Sequence, residues 1–306
     1  MKYAIIGTGA IGGYYGAKLA RAGFDVHFLL HSDYRHVKEN GLRIDSCDGS
    51  FALPSPNIYD NTNDMPQCDV VIVALKTTNN HLLPSLLPPL LKPDTIVLLI
   101  QNGIGVEPDV EKMFPHQPLV AGLAFICSAK AGPGLINHQF YGNINIGNYS
   151  CRDESRFQQL IDDLHEAGIG AATVDYLEAR WKKAVWNMPF NGMTVALNTT
   201  TNHLLSCQAT RRLIYDQMLE VIGAANALGI KNIDKTFADK MIANTIKMPP
   251  YSPSMKLDFD FHRPMEIDYL YSRPIAYAKA AGFNMPKLEM LEAELRFIGK
   301  EITHPS

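Results

Sequence analysis

Apolar positions along the chain follow two rhythms. In the first part, short continuous apolar runs recur: Lys2 to Ile6, Asp25 to Leu30, Asp69 to Leu75 and Thr95 to Ile100. Runs this short, with no polar alternation, predict strands of a parallel sheet buried on both faces. Helical spacing predicts a helix over Tyr14 to Ala22, closed by Gly23, and another over Asn79 to Leu91. Pro84, Pro88 and Pro89 should shorten or break the second one. Leu119 to Cys127, Gly134 to His138 and Asn143 to Ile146 predict further strands, the last two paired as a hairpin. Arg152 to Ala167 reads as a helix stopped by Gly168, and Ala171 to Val174 as extended chain. From Tyr176 onward strand signals fade. Helical periodicities then cover Tyr176 to Ala196, Thr210 to Leu228 and Asp234 to Ile246. After the proline-rich loop Met248 to Pro253 they resume near Pro264 to Ala281 and Pro286 to Phe297. The pattern predicts a doubly wound α/β domain over residues 1–174 and an all-α domain over 175–306, with the active site in the cleft between them.

The first strand leads directly into Gly7-Thr8-Gly9-Ala10-Ile11-Gly12, followed by a helix and a second strand. In that context the glycine spacing reads as a dinucleotide turn. Gly7 makes the tight turn, Gly9 lets a pyrophosphate approach the backbone, and Gly12 lets helix and strand pack closely. The helix N-terminus adds free N–H groups and the positive end of its dipole.

Composition narrows the classes. Hydrophobic residues make up 46% and charged residues 19% of the 306 residues, which is ordinary for a globular chain. A net charge of -3 without any basic run argues against nucleic acid as partner. No apolar stretch approaches the ~20 residues of a membrane span, and the apolar N-terminus is committed to the first strand. The five cysteines are scattered and the ten histidines lack ligand spacing, so neither disulfides nor a metal site is expected. A cytosolic, metal-free protein is the expectation.

The predicted helix from Tyr176 is mostly apolar, yet it carries Lys183, Asn187 and Asn191 at i, i+4 and i+8. At ~100° per residue each step of four drifts only about 40°, so the three form one stripe. Two readings stand: a solvent-facing stripe, or a ligand-facing one offering a cation and two amides to an oxygen-rich substrate. Pro189 should bend this helix and free a carbonyl. Later, Ser254 follows the proline-rich loop and Glu266 falls in the first turn of the helix expected from Pro264. On the residues alone Ser254 reads equally as an N-cap, and Glu266 as an acid favoured by the helix dipole.

Taken together, the glycine turn, Leu75-Lys76-Thr77, Gln101-Asn102-Gly103, Lys183 with Asn187 and Asn191, Ser254-Met255 and Glu266-Ile267-Asp268-Tyr269 make the chain resemble the ketopantoate reductase family over nearly its whole length. The resemblance implies a Rossmann domain followed by an all-α domain of the 6-phosphogluconate dehydrogenase C-terminal type. It implies NADPH-dependent reduction of 2-dehydropantoate to pantoate, on the way to pantothenate and coenzyme A. Lys183 would polarise the C2 ketone and donate the proton as general acid. Asn187, Asn191 and Glu266 would bind and orient the substrate hydroxyl, and Ser254 would meet the carboxylate. Lys76 and Asn102 would lie beside the ribose and nicotinamide, Asn102 also serving the substrate. Without the family, Lys76 reads as a strand-end lysine and Asn102-Gly103 as a turn.

Two positions depart from the family pattern. The second strand ends at Leu30-His31-Ser32-Asp33, with His31 where an arginine often stands. No acid sits directly at the strand end, which favours NADP, while Asp33 keeps NAD open. Tyr271-Ser272 replaces a common Asn-Gly near the substrate site, so another 2-oxo acid remains an alternative substrate. A non-catalytic dinucleotide-binding regulator is a further reading, disfavoured by the presence of both Lys183 and Glu266. The protein is expected to act on a small 2-oxo acid, as a monomer or homodimer.

Overall fold

The computed structural model describes residues 1–303, and they divide into two compact units. The first holds residues 1–101 and 106–176; the second holds 102–105 and the chain from Leu177 onward. The first unit is built on ten strands: β1 (Lys2–Ile6), β2 (Asp25–Leu29), β3 (Leu42–Ser46), β4 (Phe51–Leu53), β5 (Asn57–Tyr59), β6 (Val70–Val73), β7 (Ile96–Leu99), β8 (Leu119–Gly132), β9 (Leu135–Asn148) and β10 (Ala171–Val174). They form one sheet in the order β4-β3-β9-β8-β7-β6-β1-β2-β5, with β10 beside β9. From β5 through β2, β1, β6 and β7 to β8 every pairing is parallel; β9 runs antiparallel to β8. The chain leaves β1 for β2 on one side and returns to β6 on the other. That makes the C-terminal end of β1 a topological switch point, where doubly wound sheets bind ligands.

Five helices accompany this sheet: α1 (Ala10–Arg21), α2 (Tyr34–Asn40), α3 (Leu83–Leu86), α4 (Val106–Met113) and α5 (Glu154–Glu166). Tyr3, Ile5, Phe28, Ile72, Leu98 and Leu160 are among the fully buried residues of its core. The apolar runs named as strands are strands, and the proline-rich segment is broken into 3-10 turns on either side of α3.

Three expectations about the first unit need correction. Gly134 to His138 and Asn143 to Ile146 do not pair with each other; both belong to β9, whose partner is β8. The turn lies at Pro133-Gly134, where Gly134 has φ +64°. What resembled a second turn is a bulge: Tyr141 faces Ile126 and Asn143 faces Phe125, leaving Gly142 as the extra residue at φ +121°. Helix α1 begins at Ala10, four residues earlier than its spacing suggested. Its glycines are poor helix formers, but packing requires them, since a Cβ on Gly16 would lie 2.7 Å from the Phe28 ring. Helices α2 and α4 and strands β3 to β5 were not anticipated. All are short, and β4 and β5 include no fully buried residue.

The second unit is helical: α6 (Tyr176–Ala196, the first residue counted with the sheet unit), α7 (Thr201–Ser206), α8 (Gln208–Ala227), α9 (Lys235–Lys247), α10 (Ser254–Asp260), α11 (Arg273–Ala280) and α12 (Pro286–Thr303). Trp181, Val185, Met188, Phe190, Met218, Val221, Leu288 and Leu295 fill its core. Helix α6 runs as one element of 21 residues with Pro189 inside it. The helix expected from Pro264 does not start there. Helical structure begins at Ile267, passes through a π-helical turn over Asp268–Ser272 and becomes α11 at Arg273. Glu266 therefore precedes the helix, and its carbonyl accepts the bond from Leu270 N at 3.2 Å. Pro274 explains the wide turn, because it has no N–H to bond the carbonyl four residues back. No helix among the described residues is long and apolar enough to cross a membrane.

Candidate active site

The glycine turn is shaped by backbone crowding. Gly7 has φ +98°, and a Cβ there would lie 2.6 Å from Leu75 N. At Gly12 a Cβ would stand 2.3 Å from the Gly7 carbonyl oxygen. Gly9 differs: a Cβ would meet nothing within 4 Å, so its free side faces open space at the N-cap of α1. The Thr8 hydroxyl donates to Leu29 O at 2.8 Å and ties the turn to the end of β2, while Ala10 and Ile11 open α1. Such a cradle fits a dinucleotide phosphate: backbone N–H groups at a helix N-terminus, with no side chain over Gly9. Lys76 lies at the edge of the same turn, because Ala74 and Leu75 pack on Gly7; it is partly buried and precedes the 3-10 turn Thr77–Leu82.

At the end of β2, His31 and Arg35 are exposed. Asp33 is only 7% exposed. Its carboxylate accepts from Lys130 Nζ at 2.6 Å, Gly134 N at 3.0 Å and Ser32 Oγ at 3.1 Å. Burial alone would raise its pKa, but the Lys130 ammonium and the Gly134 N–H hold it below the usual carboxylate range. The acid that kept NAD open is thus committed to partners within its own unit.

In the helical unit, a small pocket is lined by Gly103, Ile104, Arg180, Lys183, Ala184, Asn187, Tyr269, Leu270 and Pro274. Residues 102–105 belong to this unit because the backbone pins them there: Ile104 N donates to Tyr269 O at 2.9 Å, and a Cβ on Gly103 would lie 2.6 Å from that oxygen. Asn102 is partly buried at the start of this pinned segment. Lys183 is partly buried on the pocket wall. Desolvation lowers its pKa most, the Arg180 guanidinium lowers it further, and Glu266 partly offsets both, leaving it at about 7. A cation so placed loses or gains its proton near neutrality.

The remaining residues of the stripe separate. Asn187 lies beside Lys183 in the pocket and is buried. Asn191 instead supports structure: its Nδ2 donates to Asn187 O at 2.9 Å, and its Oδ1 accepts from Met255 N at 3.0 Å. That second bond anchors the start of α10, where Ser254 is the first helical residue and Pro253 the N-cap. Ser254 is partly buried and does not line the Lys183 pocket. Glu266 is 4% exposed and acts on Lys183 electrostatically. The departures at 271 and 272 turn away from this site. Tyr271 is fully buried and its hydroxyl donates to Met188 O at 2.6 Å; Ser272 bonds Glu292 and Arg296.

The sequence reading missed Arg180. It stands three residues before Lys183 and seven before Asn187, on the same helix face and the same pocket wall. That spacing was visible, but an arginine in the first turns of a helix reads as solvated unless its burial is known. In the sheet unit Cys47, Asp48 and His138 also cluster, with donor atoms within 4.8 Å. The His138 ring there bonds Ser46 Oγ at 2.9 Å and Tyr141 O at 3.0 Å.

A doubly wound sheet with this turn at its switch point is the architecture of dinucleotide-binding proteins, and a helical unit with a partly buried lysine on a pocket wall accompanies it here. Comparison with known proteins makes the class specific. The family Ketopantoate reductase PanE/ApbA matches residues 3–150, and Ketopantoate reductase PanE/ApbA C terminal matches residues 175–299. A 2-dehydropantoate 2-reductase of Nostoc sp. is 47% identical over 303 residues, covering 97% of this chain and 95% of the relative. The crystal structure of 2-dehydropantoate 2-reductase from Geobacter metallireducens is 38% identical, with a TM-score of 0.94 over 97% of this chain and 99% of that one. D-mandelate dehydrogenase with NADH and anilino(oxo)acetate, 24% identical with a TM-score of 0.88 over 99% of this chain and 100% of that one, shares the fold. The chain belongs to the ketopantoate reductase family.

Proposed function

We propose that this protein reduces 2-dehydropantoate to pantoate with NADPH, as a cytosolic step toward pantothenate and coenzyme A. The observation that carries the reading is Lys183: a partly buried ammonium on a pocket wall, with its pKa lowered to about 7. A general acid works best when its pKa lies near the operating pH. Gly7, Gly9 and Gly12 with the N-terminus of α1 would hold the coenzyme phosphates, and Lys76 and Asn102 the ribose and nicotinamide end. The coenzyme, when bound, supplies a hydride to the ketone carbon. Lys183 then polarises the ketone oxygen and delivers its Nζ proton there, so that the alkoxide charge never builds up unshielded. Asn187, on the same wall, orients the substrate, and Glu266 accepts a hydrogen bond from its hydroxyl. Asn191 acts at one remove, fixing α10 and with it Ser254.

NADPH is the preferred coenzyme in this reading because Asp33 is occupied by Lys130 and Gly134, while His31 and Arg35 are exposed near the end of β2. The substrate choice gains support from Tyr271 and Ser272, whose side chains bond Met188 O and Glu292 and do not line the Lys183 pocket. Loss of NADPH absorbance on adding 2-dehydropantoate tests the activity, and the ratio of kcat/KM values with NADPH and NADH tests the coenzyme. Faster turnover of a different 2-oxo acid, or a preference for NADH, overturns the corresponding part.

A further inference from the structure

Away from the Lys183 pocket and the glycine turn, a thiol, a carboxylate and an imidazole meet in the sheet unit. Cys47 and Asp48 lie in the loop from β3 to β4, and His138 lies in β9. The parallel register sets Ser46 opposite His138, and Cys47 N donates to His138 O at 3.0 Å, so the sheet itself delivers the loop to the imidazole. Sequence spacing could not show this set, because 91 residues separate Cys47 from His138. The donor atoms already stand close to a tetrahedral arrangement. Cys47 Sγ is 3.8 Å from His138 Nδ1 and 3.7 Å from Asp48 Oδ1, while Asp48 Oδ2 is 4.0 Å from Nδ1. Tetrahedral ligands at ordinary zinc bond lengths stand about 3.3–3.6 Å from one another. Small rotations of the exposed Cys47 and Asp48 side chains close that difference.

The histidine is oriented for ligation. It is 1% exposed, and its Nε2 lies 3.0 Å from Tyr141 O. A carbonyl oxygen only accepts, so Nε2 carries the hydrogen, and in the neutral ring Nδ1 keeps a lone pair aimed at the loop. Metal-binding histidines commonly have their second nitrogen held by a backbone carbonyl in this way. The Ser46 hydroxyl donates to Nδ1 at 2.9 Å, a neutral hydrogen bond that a dication would replace. We propose that Cys47, Asp48 and His138 form a binding site for zinc, with water completing the tetrahedron on the exposed side. Sulfur and imidazole nitrogen select zinc over magnesium and calcium, which take oxygen ligands. The bound ion ties the β3–β4 loop to β9. Through Tyr14, whose ring packs on His138 with centroids 4.4 Å apart, it also braces α1. Its role is structural, and none of its ligands lines the Lys183 pocket.

The test uses the full chain, reduced and stripped of metal with a chelator, as wild type, Cys47→Ser, Asp48→Asn and Cys207→Ser. Cys207 is the other exposed cysteine and serves as the control. Zinc binding is followed by calorimetry, cobalt(II) binding by absorbance, and thermal unfolding is recorded with and without zinc. The wild type should bind a single zinc ion per chain and melt at a higher temperature with it. Cobalt(II) should give the intense visible bands of a tetrahedral site together with a thiolate-to-cobalt charge-transfer band. Cys47→Ser should lose that band and weaken zinc binding by at least about tenfold. Asp48→Asn should keep the band and weaken zinc binding by about tenfold, and Cys207→Ser should match the wild type. Because His138 is buried against Tyr14, its part is read without substitution, by nitrogen NMR of the ring: zinc should move the Nδ1 resonance far more than that of Nε2. A wild type that binds no zinc, a cobalt spectrum without charge transfer, binding that survives Cys47→Ser or is lost with Cys207→Ser, or an unmoved Nδ1 resonance overturns the proposal.

Discussion

The glycine turn of the sheet unit and the Lys183 pocket of the helical unit solve opposite problems. The turn is made of backbone and has no titratable group at Gly7, Gly9 or Gly12; in the proposed function it would work by omitting side chains so that a phosphate can reach N–H groups. The pocket is made of side chains on a buried helix, and it works by bringing Arg180, Lys183 and Glu266 within electrostatic reach of one another. Sterics govern the first and electrostatics the second. Substitutions in the two places should therefore fail in different observables, the turn in folding and coenzyme affinity, the pocket in chemistry.

Replacing Lys183 by Ala should give the largest effect. Loss of a general acid costs on the order of 10²- to 10⁴-fold in kcat, while NADPH affinity, followed by fluorescence titration, should remain near that of the wild type. An equal loss of NADPH affinity would break the division between the regions. Next comes Gly7→Ala, which forces a side chain into φ +98° with its Cβ 2.6 Å from Leu75 N. A stability loss of about 1–3 kcal/mol in denaturant unfolding is expected. Weaker NADPH binding should accompany it, with kcat at saturating coenzyme largely kept. Asn191→Ala sharpens the comparison inside the pocket region. It removes the acceptor for Met255 N, a buried backbone donor, and should lower stability by about 1–3 kcal/mol with a smaller effect on kcat than Lys183→Ala. A kcat loss as large as that of Lys183→Ala would place Asn191 against the substrate itself.

The same contrast governs what could be read from the sequence. Glycine at Gly7 and Gly12 is a direct record of steric need, so their spacing with Gly9 announced the turn, and the uninterrupted apolar runs announced β1, β2, β6 and β7. The β8–β9 pair was misread because one glycine signal serves two geometries. Gly134 makes the turn and Gly142 a bulge, and only the register on Ile126 and Phe125 tells them apart. In the helical unit, i+4 spacing put Lys183, Asn187 and Asn191 on one stripe. It could not foresee that Met255 N would claim the Asn191 side-chain oxygen Oδ1, a contact 64 residues away in sequence. Arg180 was passed over because a charged residue near a helix start is ordinary, and its burial depends on Tyr269 and residues 103–104, which close the pocket from distant parts of the chain.

The central claim is that Lys183 is a proton donor tuned to neutrality by burial and by Arg180. The pH dependence of kcat/KM for 2-dehydropantoate reduction, measured at saturating NADPH, tests it most directly, because this quantity reports groups of the enzyme before the substrate binds. Reduction needs the protonated amine, and the amine loses its proton as pH rises through about 7. The account predicts a plateau at acid pH and a fall approaching tenfold per pH unit above neutrality. A profile that stays level from about pH 6 to about pH 9 would contradict it, because no group titrating near neutrality would then be giving the proton.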